Sequence, residues 1–204
     1  KVFIACDTNQ ISKVRKIIKN TNTNKLKIGY KFGLEFLLSK NGRNFISKFK
    51  NKTIFCDAKM MDIPNTMKSA FKAMKDLKIN YLTVHTSSGL EALKAVKKIS
   101  GKTKIVGVTI LTSLDKKNLK EVGYKKSVKN LVVHQAKLAN KARLDALVCG
   151  PDEVIHVKKI FKKEIITPGI RLNNKMNDQK RVMTPKEAFK NGCDWIVIGR
   201  PITK

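Results

Sequence analysis

The chain has 204 residues, of which 42% are hydrophobic, enough for one sizeable core. Its longest apolar runs fall well short of the roughly 20 residues that cross a bilayer, and the opening K-V-F-I-A-C-D lacks the layout of a secretory signal. Forty-four Lys and Arg against fifteen Asp and Glu give a formal net charge of +29, which admits nucleic acid as a partner. The lysines are nevertheless spread over nearly every helical segment, and aromatic residues, which stack on bases, make up only 6%. No specific nucleic-acid partner and no membrane are therefore expected.

Eight short β-rich runs follow in order: Val2 to Cys6, Leu26 to Tyr30, Thr53 to Cys56, Tyr81 to His85, Lys104 to Leu111, Ala146 to Cys149, Glu164 to Thr167 and Trp195 to Ile198. Segments with helical apolar spacing separate them, such as Ile11, Val14, Ile17 and Ile18, or Val128, Leu131, Val132 and Ala136. Strict alternation of strand and helix predicts a parallel sheet, and eight strands fit a closed (β/α)8 TIM barrel. No Gly/Ser-rich linker divides the chain, so residues 1–204 read as one catalytic domain. The sequence reaches Lys204 just after the eighth run, so the final helix of such a barrel is expected to be missing by trimming.

In a barrel of this kind the C-terminal strand ends carry the chemistry. Charged and polar residues gather there. Asp7 ends the first run, Asp57 and Lys59 the third, Thr112 and Ser113 follow the fifth, Pro168 to Arg171 the seventh, and Gly199 and Arg200 the eighth. Lys27 lies inside the second run, where an inward direction aims it at the same cup. In D-A-K-M-M-D, residues 57–62, the i and i+2 spacing puts Asp57 and Lys59 on one side of a strand. With Lys59 between Asp57 and Asp62, each carboxylate favours the ammonium and the ammonium keeps both acids ionised. Such an array repels an incoming substrate carboxylate, and Lys59 can protonate the carbon left when carbon dioxide departs. The G-R-P at 199–201 and the turn at 168–171 occupy the usual phosphate position, where Arg200 can fork onto an anion.

The four cysteines (Cys6, Cys56, Cys149, Cys193) are far apart, and three lie in or beside apolar runs, as expected of reduced thiols in a cytoplasmic protein. His85, His134 and His156 do not cluster at metal-ligand spacing, so no metal is expected.

These motifs, taken together, resemble the orotidine 5′-monophosphate decarboxylase family almost end to end. The likeness is carried by A-C-D at 5–7, K-I-G-Y at 27–30, D-A-K-M-M-D-I-P-N-T at 57–66, V-H-T-S-S-G at 84–89, L-T-S at 111–113, L-V-C-G at 147–150, T-P-G-I-R at 167–171, D-Q-K-R-V-M-T-P at 178–185 and I-V-I-G-R-P-I-T at 196–203. Only D-x-K-x-x-D-I-P-x-T is specific by itself. The resemblance implies a lyase of pyrimidine (UMP) biosynthesis that needs no metal and no cofactor and passes through a C6 carbanion protonated by Lys59. It implies a charge array of Lys27, Asp57, Lys59 and Asp62, with Asp7 on the ribose hydroxyls. Thr112 would lie near the pyrimidine, Pro168 would border the base, and Gln179, Gly199 and Arg200 would hold the phosphate; Arg171 belongs to the binding set with a less defined partner. It also implies a homodimer in which Asp62, Ile63 and Thr66 complete the neighbour's site, and a loop over residues 171–180 that closes on the phosphate.

Met60 and Met61 stand where many family members have an apolar residue and a histidine, and the loop after the fifth run, L-D-K-K-N-L-K, is lysine-rich. Related sugar-phosphate enzymes share D-x-K-x-x-D but resemble magnesium-dependent enediolate catalysts. The continuation I-P-N-T with T-P-G-I-R and D-Q-K-R-V points to the nucleotide enzyme.

Overall fold

A computed structural model describes residues 1–171 and 183–203. Its eight strands pair in parallel and in chain order around a closed barrel: β1 (Val2–Ala5), β2 (Ile28–Phe32), β3 (Thr53–Met60), β4 (Tyr81–His85), β5 (Lys104–Val108), β6 (Ala146–Val148), β7 (Glu164–Thr167) and β8 (Trp195–Ile198). Closure comes from β1 pairing with β8, Val2 opposite Ile196. The (β/α)8 architecture expected from alternation is thus observed. The helices are α1 (Ile11–Asn20), α2 (Leu34–Leu37), α3 (Gly42–Lys48), α4 (Pro64–Ala73), α5 (Leu90–Ile99), α6 (Lys116–Glu121), α7 (Val128–Lys141), α8 (Val154–Ile160), α9 (Pro185–Lys190) and α10 (Arg200–Thr203).

Alternation along each strand divides the core in two. Outward residues such as Ile4, Tyr30, Phe32, Ile54 and Leu82 pack under the helices with Val14, Phe36, Met67, Leu93 and Val132. Inward residues fill the barrel itself with Phe3, Phe55, Tyr81 and Trp195. Phe3 stacks on Trp195 at 4.1 Å between centroids and meets Phe55 at 4.8 Å and Tyr81 at 5.3 Å. Full burial of each such ring is worth roughly 1.5–3 kcal/mol. Gly29 makes room for this stack, because a Cβ there would lie 2.6 Å from Phe3 Cε1.

The N-terminal mouth is closed by a repeated polar device. Asn80, Asp145 and Asp194 each sit one residue before an even-numbered strand, and each accepts the N–H of a residue near the start of the preceding strand: Ile54, Ile105 and Ile165, at 2.8–2.9 Å. Asp145 also takes Lys97 on both oxygens at 2.7 Å, and Asp194 takes Lys158 at 2.8 Å. Aromatic side chains thus occupy the lower barrel, leaving the upper layer for polar groups.

Candidate active site

The next inward positions above the aromatic layer are Lys31 on β2, Asp57 on β3 and Thr83 on β4. They converge. Asp57 is only 8% exposed. Its Oδ2 receives Lys59 Nζ at 2.8 Å and lies 3.4 Å from Lys31 Nζ, while its Oδ1 accepts the Thr83 hydroxyl at 3.1 Å. Lys31 reaches on to Asp7 Oδ1 at 2.8 Å. The result is an alternating chain of charge, Asp7, Lys31, Asp57, Lys59, along the cup floor.

Burial by itself would raise the Asp57 carboxyl, but Lys31 and then Lys59, with hydrogen bonds from Lys59 and Thr83, hold it below its ordinary value. Burial would likewise lower Lys31, and Asp57 followed by Asp7 overcomes it, so the ammonium is held more firmly than usual. Both groups stay ionised at neutral pH. His85, at the end of β4, is pushed down by burial and by Lys59.

The pairing of Asp57 with Lys59 anticipated from i, i+2 spacing is present, but not on a flat strand. The β3–β4 register shifts between Cys56 and Met60, and Lys59 has φ = 47°, in the left-handed region. This bulge re-aims the lysine over the carboxylate.

Lys27 is not brought to the cup. It precedes β2 at the opposite mouth, with its ammonium 6.0 Å from the Trp195 ring centroid. The strand runs over Ile28–Phe32, two residues later than the apolar run indicated. Lys27, Gly29 and Lys31 share the inward parity, yet Lys27 lies about 13 Å lower than Lys31 at roughly 3.3 Å per residue. Lys31 therefore holds the place in the array that sequence reading gave to Lys27. The signal that distinguishes them is β1: Ala5 pairs with Lys31, two residues before Asp7.

Asp62 also departs from the array within one chain. It is exposed, and its Oδ1 accepts the N–H of Ile63 at 2.7 Å. Ile63 precedes Pro64, the first residue of α4, and Thr66 is the third residue of that helix; both are exposed as well, outside the cup lining. The cup, about 930 Å³, is lined by Asp7, Lys31, Asp57, Lys59, Thr112, Pro168, Gly169, Arg171, Gly199 and Arg200 over a floor of Ala5, Phe55, Val108, Val148 and Val197. Arg171 is buried, its Nη1 donating to the Ile170 carbonyl at 3.0 Å. Backbone bonds from Arg171 N to Met183 O and from Met183 N to Gly169 O bring residues 169–171 and 183 side by side. Gln179, and all but Arg171 of the closing loop expected over residues 171–180, lie outside the described residues. Among the described residues, no group of three or more His, Cys, Asp or Glu side chains is placed to hold a metal ion, and no helix is long and apolar enough to cross a membrane.

The family model for orotidine 5′-phosphate decarboxylase / HUMPS proteins matches residues 1–204. The chain belongs to that family. It is 41% identical over its whole length to the orotidine 5′-phosphate decarboxylase of Wolbachia pipientis subsp. Culex pipiens, covering 91% of that protein, and 42% identical to that of Wolbachia sp. subsp. Brugia malayi, covering 92%. Among solved structures, the orotidine 5′-phosphate decarboxylase of Lactobacillus acidophilus superposes with a TM-score of 0.86 at 31% identity, over 99% of this chain and 91% of that one. The chain is accordingly a TIM-barrel lyase of the decarboxylase type. Thr83 and Lys31 are the site residues that sequence reading missed. Nothing local marks Thr83, because its partners come from the neighbouring strand.

Proposed function

We propose that this protein converts orotidine 5′-monophosphate to UMP and carbon dioxide, the last step of UMP biosynthesis, without metal or cofactor. The observation that carries the reading is the buried Asp57 held between Lys31 and Lys59 on the floor of the cup. A substrate carboxylate about 4 Å from Asp57 would be repelled by about 4 kcal/mol at an effective dielectric near 20. The C6–carboxylate bond breaks, its electron pair stays on C6, and Lys59 Nζ donates a proton there; solvent then reprotonates the lysine. Consumption of one proton balances the release of CO2.

Asp7, exposed on the cup wall, would accept from ribose hydroxyls. Thr112 and Pro168 would flank the base, and Gly199 and Arg200, with Gln179 and Arg171, would engage the phosphate, far from the reacting carbon. Binding energy gathered there can organise the floor for the transition state. The net charge of +29 favours approach of a substrate carrying both phosphate and carboxylate.

A homodimer fits this scheme. Met61 (60% exposed) and Ile63 (66%) leave apolar surface beside Asp62 and Thr66, and a second copy covering it could receive Asp62 next to its own Lys59. The four buried cysteines accord with work in the cytoplasm; burial raises Cys6 and Cys56 to about 12 and Cys193 to about 11.

The test is the fall in ultraviolet absorbance as purified protein consumes orotidine 5′-monophosphate in excess EDTA, beside Lys59→Ala. Turnover indifferent to EDTA and abolished by the substitution is expected. Activity lost on chelation and restored by magnesium would move the protein to the sugar-phosphate branch.

A further inference from the structure

Lys59 is unusual in its backbone as well as its side chain. Among the described residues it is the only non-glycine residue inside a strand with positive φ, and it sits in the β3 bulge with no ladder partner on β4 at its own position. An L-residue rarely holds this conformation unless its surroundings impose it. The surroundings that do so are visible. The backbone N–H of Lys59 donates to Thr83 Oγ1 at 2.8 Å, and Thr83 is fully buried on β4.

Because that N–H can only donate, the hydroxyl accepts it and must direct its own single proton elsewhere. The proton goes to Asp57 Oδ1 at 3.1 Å. Asp57 Oδ2 in turn receives Lys59 Nζ at 2.8 Å. The four contacting groups form a closed ring: Lys59 backbone, Thr83 hydroxyl, Asp57 carboxylate, Lys59 ammonium. One hydroxyl thus ties the lysine's backbone to the carboxylate that holds its tip.

We propose that Thr83 is the positioning residue that locks Lys59 in its left-handed conformation and so aims the ammonium at the reacting carbon. The catalytic consequence rests on the decarboxylation reading above; the structural one does not. Thr83 touches no substrate in this scheme and acts through Lys59 and Asp57. Misplacement of a reacting group by about 1 Å can lower a rate about a hundredfold. Loss of this single hydroxyl, which bonds a charged group, is therefore expected to reduce kcat by about 10- to 100-fold.

The decisive comparison sets Thr83→Val, which keeps shape and loses the hydroxyl, against Thr83→Ser, which does the reverse. Positioning predicts that the serine variant stays within about threefold of wild-type kcat while the valine variant falls, with KM for the nucleotide little changed in both. It also predicts that Thr83→Val keeps its affinity for UMP but binds more weakly a UMP analogue bearing an anionic oxygen at C6. A merely packing role would give the opposite order, valine near wild type and serine impaired, and would overturn the proposal. If the valine variant does not fold, Thr83→Ala against Thr83→Ser makes the same comparison of hydroxyl lost and hydroxyl kept. Crystal structures of the variants supply a readout free of activity: Lys59 is expected to leave the left-handed region without the hydroxyl and to remain there with serine. An inactive wild type with that backbone change would refute the decarboxylation reading alone. An active wild type with an unmoved, fully active Thr83→Val would refute the positioning role alone.

Discussion

Replacing Lys31 by alanine tests the corrected charge array. Lys31 is 12% exposed at its side chain and lies 3.4 Å from a carboxylate that is itself 11% exposed. At that separation and an effective dielectric near 20, the gross attraction is about 5 kcal/mol. The second contact, to Asp7 at 2.8 Å, is worth far less because the Asp7 side chain is 58% exposed and screened. Breaking a buried pair usually costs about 3–5 kcal/mol, and since Lys59 would still face Asp57, a stability loss of about 2–3 kcal/mol is expected in urea denaturation. In the reaction, one of the two cations that keep Asp57 ionised would be gone. A penalty of roughly 4 kcal/mol in the transition state lowers kcat/KM by about a thousandfold. Lys27→Ala is the control: an exposed residue at the other mouth should change stability by less than about 0.5 kcal/mol and leave kcat/KM unaffected. Equal damage from both substitutions, or from Lys27→Ala alone, would refute the placement of the array.

Three further outcomes follow from the same geometry. Arg200→Ala should lower kcat/KM by about 10- to 100-fold or more through loss of a forked phosphate contact, with Arg200→Lys rescuing only part, and leave the far-ultraviolet circular dichroism unchanged. Asp145→Ala frees Lys97 and the Ile105 N–H together, and should cost about 2–3 kcal/mol by urea denaturation without changing KM. The folded-state carboxyl of Asp57 lies below its ordinary 3.8, so the stabilisation it provides is complete above about pH 5 and is lost as pH falls through the folded value. Lys31, raised above 10.5, provides stabilisation that is complete below about pH 9 and is lost as pH rises through its folded value. The stability difference between wild type and Asp57→Asn should therefore stay level between these limits and shrink below pH 4; a difference that grew on acidification would contradict the sign.

Much of this was legible in the sequence because it depends on short-range pattern. The alternation of β-rich and helical segments named the barrel, and three strands, β4, β7 and β8, begin and end where the apolar runs do. The specific D-x-K-x-x-D-I-P-x-T stretch located Asp57 and Lys59. What escaped needed three-dimensional register. A shift of two residues in β2 preserves the inward face, so parity alone could not separate Lys27 from Lys31; pairing with β1 and β3 fixes the level. The bulge at Lys59 breaks the even alternation of β3, and its cause, Thr83, lies 24 residues away on another strand. Asp62, which the resemblance assigns to a neighbouring subunit's site, lies outside its own cup because the turn into α4 points its carboxylate at the Ile63 N–H. Residues of this kind are set by contacts between elements, which no local window contains.

Bond cleavage at C6, with a proton delivered in its place, is the central step of the proposed reaction. Wild-type protein should be given orotidine 5′-monophosphate labelled with carbon-13 in its carboxylate, in deuterated water with EDTA, and the products followed by NMR and mass spectrometry. Labelled carbon dioxide and UMP bearing one deuterium at C6 should appear in equal amounts, and neither should form with Lys59→Ala. Intact substrate after prolonged incubation with folded wild-type protein, or label that leaves just as fast with Lys59→Ala, would contradict it.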